Sequence, residues 1–147
     1  MNDFQEFMSQ SADETKIIAS NMSKDIKMNS VIALYGDIGT GKTTFTQGFA
    51  LGLGVNEHVT SPTFKLVSEY SGDSKKLYHI DCYRLKGSSD FLNIGGELFL
   101  NPGDGVTIIE WANVIDDLLL PDTITVQFNR NFRKPEERIL KIKGWYS

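Results

Sequence analysis

Gly36-Asp37-Ile38-Gly39-Thr40-Gly41-Lys42-Thr43-Thr44, entered from the apolar run Val31-Ile32-Ala33-Leu34-Tyr35, is the stretch whose reading decides the fold. Gly36, Gly41, Lys42 and Thr43 fit the pattern G-x-x-x-x-G-K-[ST]. In that pattern backbone N–H groups wrap phosphates, the lysine reaches the outer ones and the hydroxyl holds magnesium. The flanks agree with it. A β-branched run leads in, and Phe45 and Phe49 lie four apart on the way out, as in a helix that buries one face. Such a helix turns its free N–H groups and positive dipole end toward the anion.

The chain of 147 residues is expected to form one domain, residues 1–147, long enough to enclose a proper core. Its 40% hydrophobic and 23% charged composition is that of an ordinary globular protein. A formal net charge of −4 argues against strong non-specific nucleic-acid binding, so any RNA is expected to be held mainly by a partner. One cysteine, Cys82, excludes an intrachain disulfide, and with two histidines it gives no zinc-ligand spacing. The N-terminal residues show neither a basic n-region nor an apolar h-region, and no apolar run reaches membrane-spanning length. The expected setting is the cytoplasm, without a membrane contact.

Ser11-Ala12-Asp13-Glu14 reads as a capping box, opening a helix whose apolar face is Ile18, Met22 and Ile26, with a stop at Asn29-Ser30. That helix covers the sheet, or it also reaches a base through Glu14 and Thr15. Gly52 and Gly54 are expected to end the helix after the phosphate loop in left-handed conformation. In Thr60-Ser61-Pro62-Thr63 three hydroxyls cluster around a proline. Two readings stay open there, turn chemistry or a switch-like segment that senses a γ-phosphate.

Residues 64–70 and 77–83 flank the turn cluster Ser71-Gly72-Asp73-Ser74 and are expected to pair as a hairpin. The fold class is therefore α/β, a three-layer sandwich around a mixed, partly antiparallel central sheet. Alternation sets Leu77, His79, Asp81 and Tyr83 on one face of the second strand. Asp81 either pairs with Arg84 at an edge, or activates water or organises magnesium. The Gly95-Gly96 pair is expected to break a helix running from Ser88 to Leu100. The strand Val106-Thr107-Ile108-Ile109-Glu110-Trp111 ends in an acid, and Glu110 fits the carboxylate that approaches the magnesium of a phosphate loop better than any other acid in the chain. Trp111 reads equally as core packing or as an exposed contact. Val114, Ile115, Leu118 and Leu119 make a helix face. Residues 124–128 and 139–143 are the last strands, with Arg130, Arg133, Lys134 and Arg138 on a basic loop between them.

Four motifs now stand in order: the phosphate loop; Ser61-Pro62-Thr63-Phe64 with Glu69-Tyr70; His79-Ile80-Asp81 with Tyr83-Arg84-Leu85; and Ile109-Glu110-Trp111. Together they resemble the TsaE (YjeE) family, small ATPases of bacterial tRNA threonylcarbamoyladenosine synthesis, over nearly the whole chain. The resemblance implies Mg2+-dependent hydrolysis of ATP, weak in isolation, in support of a TsaD-TsaB complex that itself modifies the tRNA. It implies ATP phosphates held by Lys42 and the loop at Asp37, Ile38, Gly39, Thr40, Gly41, Thr43 and Thr44, with Arg138 near the nucleotide. It further implies magnesium on Thr43 and Glu110, with Lys42, Asp81 and Glu110 as catalytic residues. Ser61 and Thr63 would lie on the switch-like loop, and Trp111 would support the nucleotide or a partner. Ile38, Thr40, Cys82 and Ala112 depart from the residues usual in the family. Two other functions compete: a small-molecule kinase, which would need a lid that the sequence does not show, and a nucleotide-sensing module that does not hydrolyse.

Overall fold

The computed structural model describes residues 4–37, 39, 41–62 and 66–145. Expectations attached to Ile38, Thr40 and Thr63 lie outside the described residues. In chain order these form β1 (Phe4–Ser9), α1 (Ala12–Lys24), β2 (Val31–Tyr35), α2 (Lys42–Leu53), β3 (Val67–Ser71), β4 (Lys76–Asp81), α3 (Ser88–Asn93), β5 (Gly105–Glu110), β6 (Ile124–Asn131) and β7 (Lys134–Lys143). Two 3₁₀ segments, Gly96–Leu100 and Ala112–Leu118, precede and follow β5.

The strands build one sheet in the order β1-β7-β6-β2-β5-β4-β3. Its centre, β6-β2-β5-β4, is parallel, and its margins are antiparallel through the β3–β4, β6–β7 and β1–β7 pairs. Both flanking layers are occupied, so the fold is the expected α/β sandwich around a mixed sheet. On one face α1 and α2 bury Met22, Phe45 and Phe49 against Ile32, Leu34, Val126 and Leu140. On the other, Phe91 and Ile115 pack over Val31, Ala33, Ile80 and Ile109. Cys82 is buried on this second side, where desolvation pushes its thiol up to about 12 and leaves it inert.

The local chemistry explains most boundaries. Ser11 accepts the Glu14 N–H at 3.1 Å, and the Glu14 carboxylate reaches back to the Gln10 N–H, closing a capping box. Asn29, at φ 75°, ends the connection before β2. Gly54, at φ 85°, caps α2 in left-handed conformation. Gly52 does not share that role: it lies inside α2, against Ser20 and Ser23 of α1. Phe45 stacks along α2 on Phe49 and meets Phe128 edge-on at 5.7 Å. The Gly95-Gly96 break falls where expected, between α3 and the first 3₁₀ segment.

Two further expectations are corrected, and one strand is added that the sequence reading did not include. β1 carries no usable apolar alternation, because Phe4 and Met8 face outward while Gln5 and Ser9 face inward, so an edge strand formed where none was expected. The stretch from Val114 to Leu119 is not a regular helix. Trp111 enters it at φ 57° and Ile115 departs from helical angles at φ −120°, so only 3₁₀ turns form. The basic loop is in fact a long strand ribbon, in which Arg130, Lys134 and Arg138 sit on β6 and β7 and only Phe132 and Arg133 make the turn.

Candidate functional site

The carboxyl ends of the central parallel strands converge on one place, the crevice where open α/β sheets hold ligands. The phosphate loop leaves β2 there, Asp81 ends β4 and Glu110 ends β5, with Asp81 opposite Glu110 in the ladder. A cavity of about 330 Å3 opens at this point. Lys42, Thr43, Thr44, Gly39, Gly41, Ser61, Asp81, Glu110 and Trp111 line it, which gathers nine of the residues expected at the site. A larger cavity of about 540 Å3 lies at the opposite end of the sheet, by Asn29, Thr123 and Trp145. Only the smaller one joins a lysine, a hydroxyl and two carboxylates at a helix N-terminus.

Gly41 is the N-cap of α2 at φ 101°, a conformation that a side chain would strain, and its carbonyl accepts the Phe45 N–H at 2.8 Å. Lys42, Thr43 and Thr44 of the first helical turn, whose N–H groups have no partner within the helix, line the cavity, as anion sites require. Lys42 is 5% exposed. Its ammonium donates to the carbonyls of Gly36 and, at 3.3 Å, Asp37, and stands 3.8 Å from the Trp111 ring centre. Burial lowers its pKa, and the nearby Glu110, Asp81 and Asp37 carboxylates oppose that shift. Trp111 is thus half-buried at the cavity wall, between Lys42 and Tyr83, whose ring lies 5.0 Å away.

Thr43 Oγ1 donates to both oxygens of Glu110, at 3.1 and 3.3 Å. Glu110 is buried and also meets His79 Nε2 at 2.5 Å. The pair Thr43 and Glu110 fits a small hard cation. Magnesium takes oxygen donors, keeps several waters and commonly binds one or two carboxylates together with substrate phosphates. Among the described residues no cluster of three or more acidic, histidine or cysteine side chains could hold a metal by itself, so these two residues would share it with phosphate. Asp81 does not pair with Arg84 as an edge salt bridge: its carboxylate accepts Ser61 Oγ at 3.0 Å and the Tyr83 N–H at 2.9 Å.

On the outer side of the loop a second cavity of about 140 Å3 is lined by Ser11, Thr15, Gly39, Thr44, Glu136 and Arg138, among others. Arg138 donates from Nη2 to the Gly39 carbonyl at 3.2 Å. Arg130 also covers Gly39, so closely that a Cβ there would lie 2.6 Å from its Nη2. The strand ribbon therefore brings two guanidinium groups to the phosphate loop, whereas Lys134 stays exposed beside Glu137. Thr15 reaches this second cavity, and Glu14 is occupied in the capping box. Sequence reasoning gave His79 no role; its signal was a polar residue two before Asp81 on the buried face of an apolar strand.

Comparison with known proteins adds the family. The family described as threonylcarbamoyl adenosine biosynthesis protein TsaE matches residues 9–139. The tRNA threonylcarbamoyladenosine biosynthesis protein TsaE of Bacillus subtilis is 42% identical over 118 residues, spanning 80% of this chain and 73% of its own. Its namesake in Treponema pallidum is 40% identical over 119 residues, 81% of this chain and 87% of its own. The crystal structure of Bacillus subtilis YdiB superposes with a TM-score of 0.77 and 32% identity, covering 97% of this chain and 86% of that one. Among the described residues no helix is long and apolar enough to cross a membrane. With a match over most of its length, the chain belongs to the TsaE family of threonylcarbamoyl adenosine biosynthesis proteins.

Proposed function

We propose that the protein is the Mg2+-dependent ATPase of the tRNA threonylcarbamoyladenosine machinery, acting in the cytoplasm on a TsaD-TsaB complex and touching tRNA only through it. The observation that carries this reading is the contact between Thr43 of the phosphate loop and the buried Glu110 at the end of the neighbouring strand. That pairing of hydroxyl and strand-end acid is what phosphate-loop NTPases use to hold their metal.

The residues divide the work. Amides at the start of α2 and the Lys42 ammonium hold the phosphates, and Lys42 swings from its own loop carbonyls to do so. Thr43 and Glu110 would hold Mg2+, which when bound neutralises charge on the β- and γ-phosphates. Asp81 keeps acceptor capacity beyond its bonds from Ser61 and Tyr83, enough to orient an attacking water. Trp111 supports Lys42 from the cavity wall. Arg138 and Arg130 stand over Gly39 on the outer side of the loop.

Repeated tRNA modification by TsaD and TsaB, supplied with this protein and either ATP or a nonhydrolysable analogue, separates hydrolysis from sensing. ATP is expected to support many rounds and the analogue one at most. Equal support by both would replace the ATPase with a nucleotide-sensing module.

A further inference from the structure

We infer that His79 is a positioning residue for the metal-holding acid: its Nε2–H fixes the Glu110 carboxylate so that the oxygens face Thr43. This rests on the reading of Glu110 as a magnesium ligand and extends it to a fully buried neighbour outside the residues that line the phosphate cavity.

The placement follows from the parallel β4–β5 ladder. His79 lies opposite Ile108, and Glu110 is the next residue of β5 on that same sheet face. The imidazole is fully buried, and Nε2 stands 2.5 Å from Glu110 Oε2. Since that oxygen also accepts from Thr43, the proton of the contact belongs to Nε2. Its other nitrogen, Nδ1, has no hydrogen-bond partner among the described residues. A buried imidazole with one unmatched nitrogen is a poor filler between Leu77 and Ile108, where an aliphatic side chain would leave nothing unsatisfied. Among the described residues the one polar contact of its ring is with the acid. A glutamate side chain has three rotatable bonds, and Thr43 alone, approaching both oxygens from one side, leaves the carboxylate free to turn. His79 grips it from the strand beside it, as hydrogen-bonded neighbours of metal ligands do elsewhere.

The test uses Mn2+ as probe, its affinity for the protein loaded with a nonhydrolysable ATP analogue being read by paramagnetic resonance, beside the metal-free affinity for the analogue. His79→Met, similar in bulk but without the donor, is expected to weaken Mn2+ by about 10- to 100-fold. Its metal-free nucleotide affinity is expected to stay within about twofold of the native protein, a split that mere loosening of the core would not produce. His79→Gln, whose amide restores a donor near Nε2, is expected to recover most of the Mn2+ affinity. Unchanged Mn2+ affinity in His79→Met, while Glu110→Ala loses it, overturns the role of His79 and spares that of Glu110. Unchanged affinity in Glu110→Ala overturns both. The native protein gives a second reading that needs no folded variant: 15N spectra are expected to show the ring proton on Nε2, shifted when nucleotide and Mg2+ are added. A proton on Nδ1 alone would overturn the proposal.

Discussion

Lys42→Ala is expected to weaken ATP binding at least about 30-fold, measured by titration calorimetry. Lys42 is 5% exposed, and its ammonium already donates to two loop carbonyls beside the Trp111 ring. Its desolvation cost is therefore met by the fold before nucleotide arrives, and the transfer from neutral carbonyls to anionic phosphate oxygens is gained nearly whole. Truncating one partner of a buried, hydrogen-bonded charge pair typically costs about 2 to 5 kcal/mol, and 2 kcal/mol is about 30-fold in affinity. The opposing effect is relief of burial, since the lysine pKa is held below its ordinary value by desolvation. That effect concerns the free protein and leaves the phosphate contact unchanged. Melting should show the variant folded, because Phe45 and Phe49 anchor α2 independently of Lys42. An ATP affinity within threefold of the native value would contradict the phosphate cradle.

Gly48→Ala is expected to lower stability by about 1 to 3 kcal/mol, although alanine is the better helix former by about 1 kcal/mol. Gly48 is a point of close backbone approach between α2 and α1. A Cβ there would stand 2.4 Å from the Lys16 carbonyl oxygen and 2.5 Å from its Cα, and backbone atoms in a helix cannot step aside as a side-chain tip would. Gly52, one turn on, faces Ser20 and Ser23 in the same way, so the helices approach along a small-residue seam. Overpacking wins over propensity because the clash is deep and lies on both helices at once. For a chain of this size, thermal unfolding should move down by about 2 °C or more. A rise in the midpoint would mean that the helices are free to separate, and the seam would lose its meaning.

The phosphate loop and its flanking strand and helix were legible because their signals are local: fixed spacing, a β-branched run and a one-sided aromatic pair. The same holds for the β3–β4 hairpin, the capping box of α1 and the acids that end β4 and β5. What escaped was set by register between distant segments. Family resemblance alone places Arg138 near the nucleotide, and the sequence places Arg130 only on a basic loop; the two face each other across β6 and β7, and no local pattern shows that this ribbon folds back over Gly39. The contact of His79 with Glu110 likewise exists only once β4 and β5 are aligned. β1 escaped for a different reason, since an edge strand that turns Phe4 and Met8 outward presents the reverse of the usual alternation. Gly52 was misread because a glycine near a helix end serves equally as a terminator or as a flat packing surface.

The most direct measurement is ATP turnover by the protein alone and then with TsaD and TsaB added, with Glu110→Ala as the comparison. The expected result is slow turnover alone, a large rise with the partners, and loss of that rise, by about 100-fold or more, in the variant. A rise that survives in Glu110→Ala would contradict the Thr43 and Glu110 metal site, and no rise despite tight ATP binding would contradict the partner-dependent ATPase itself.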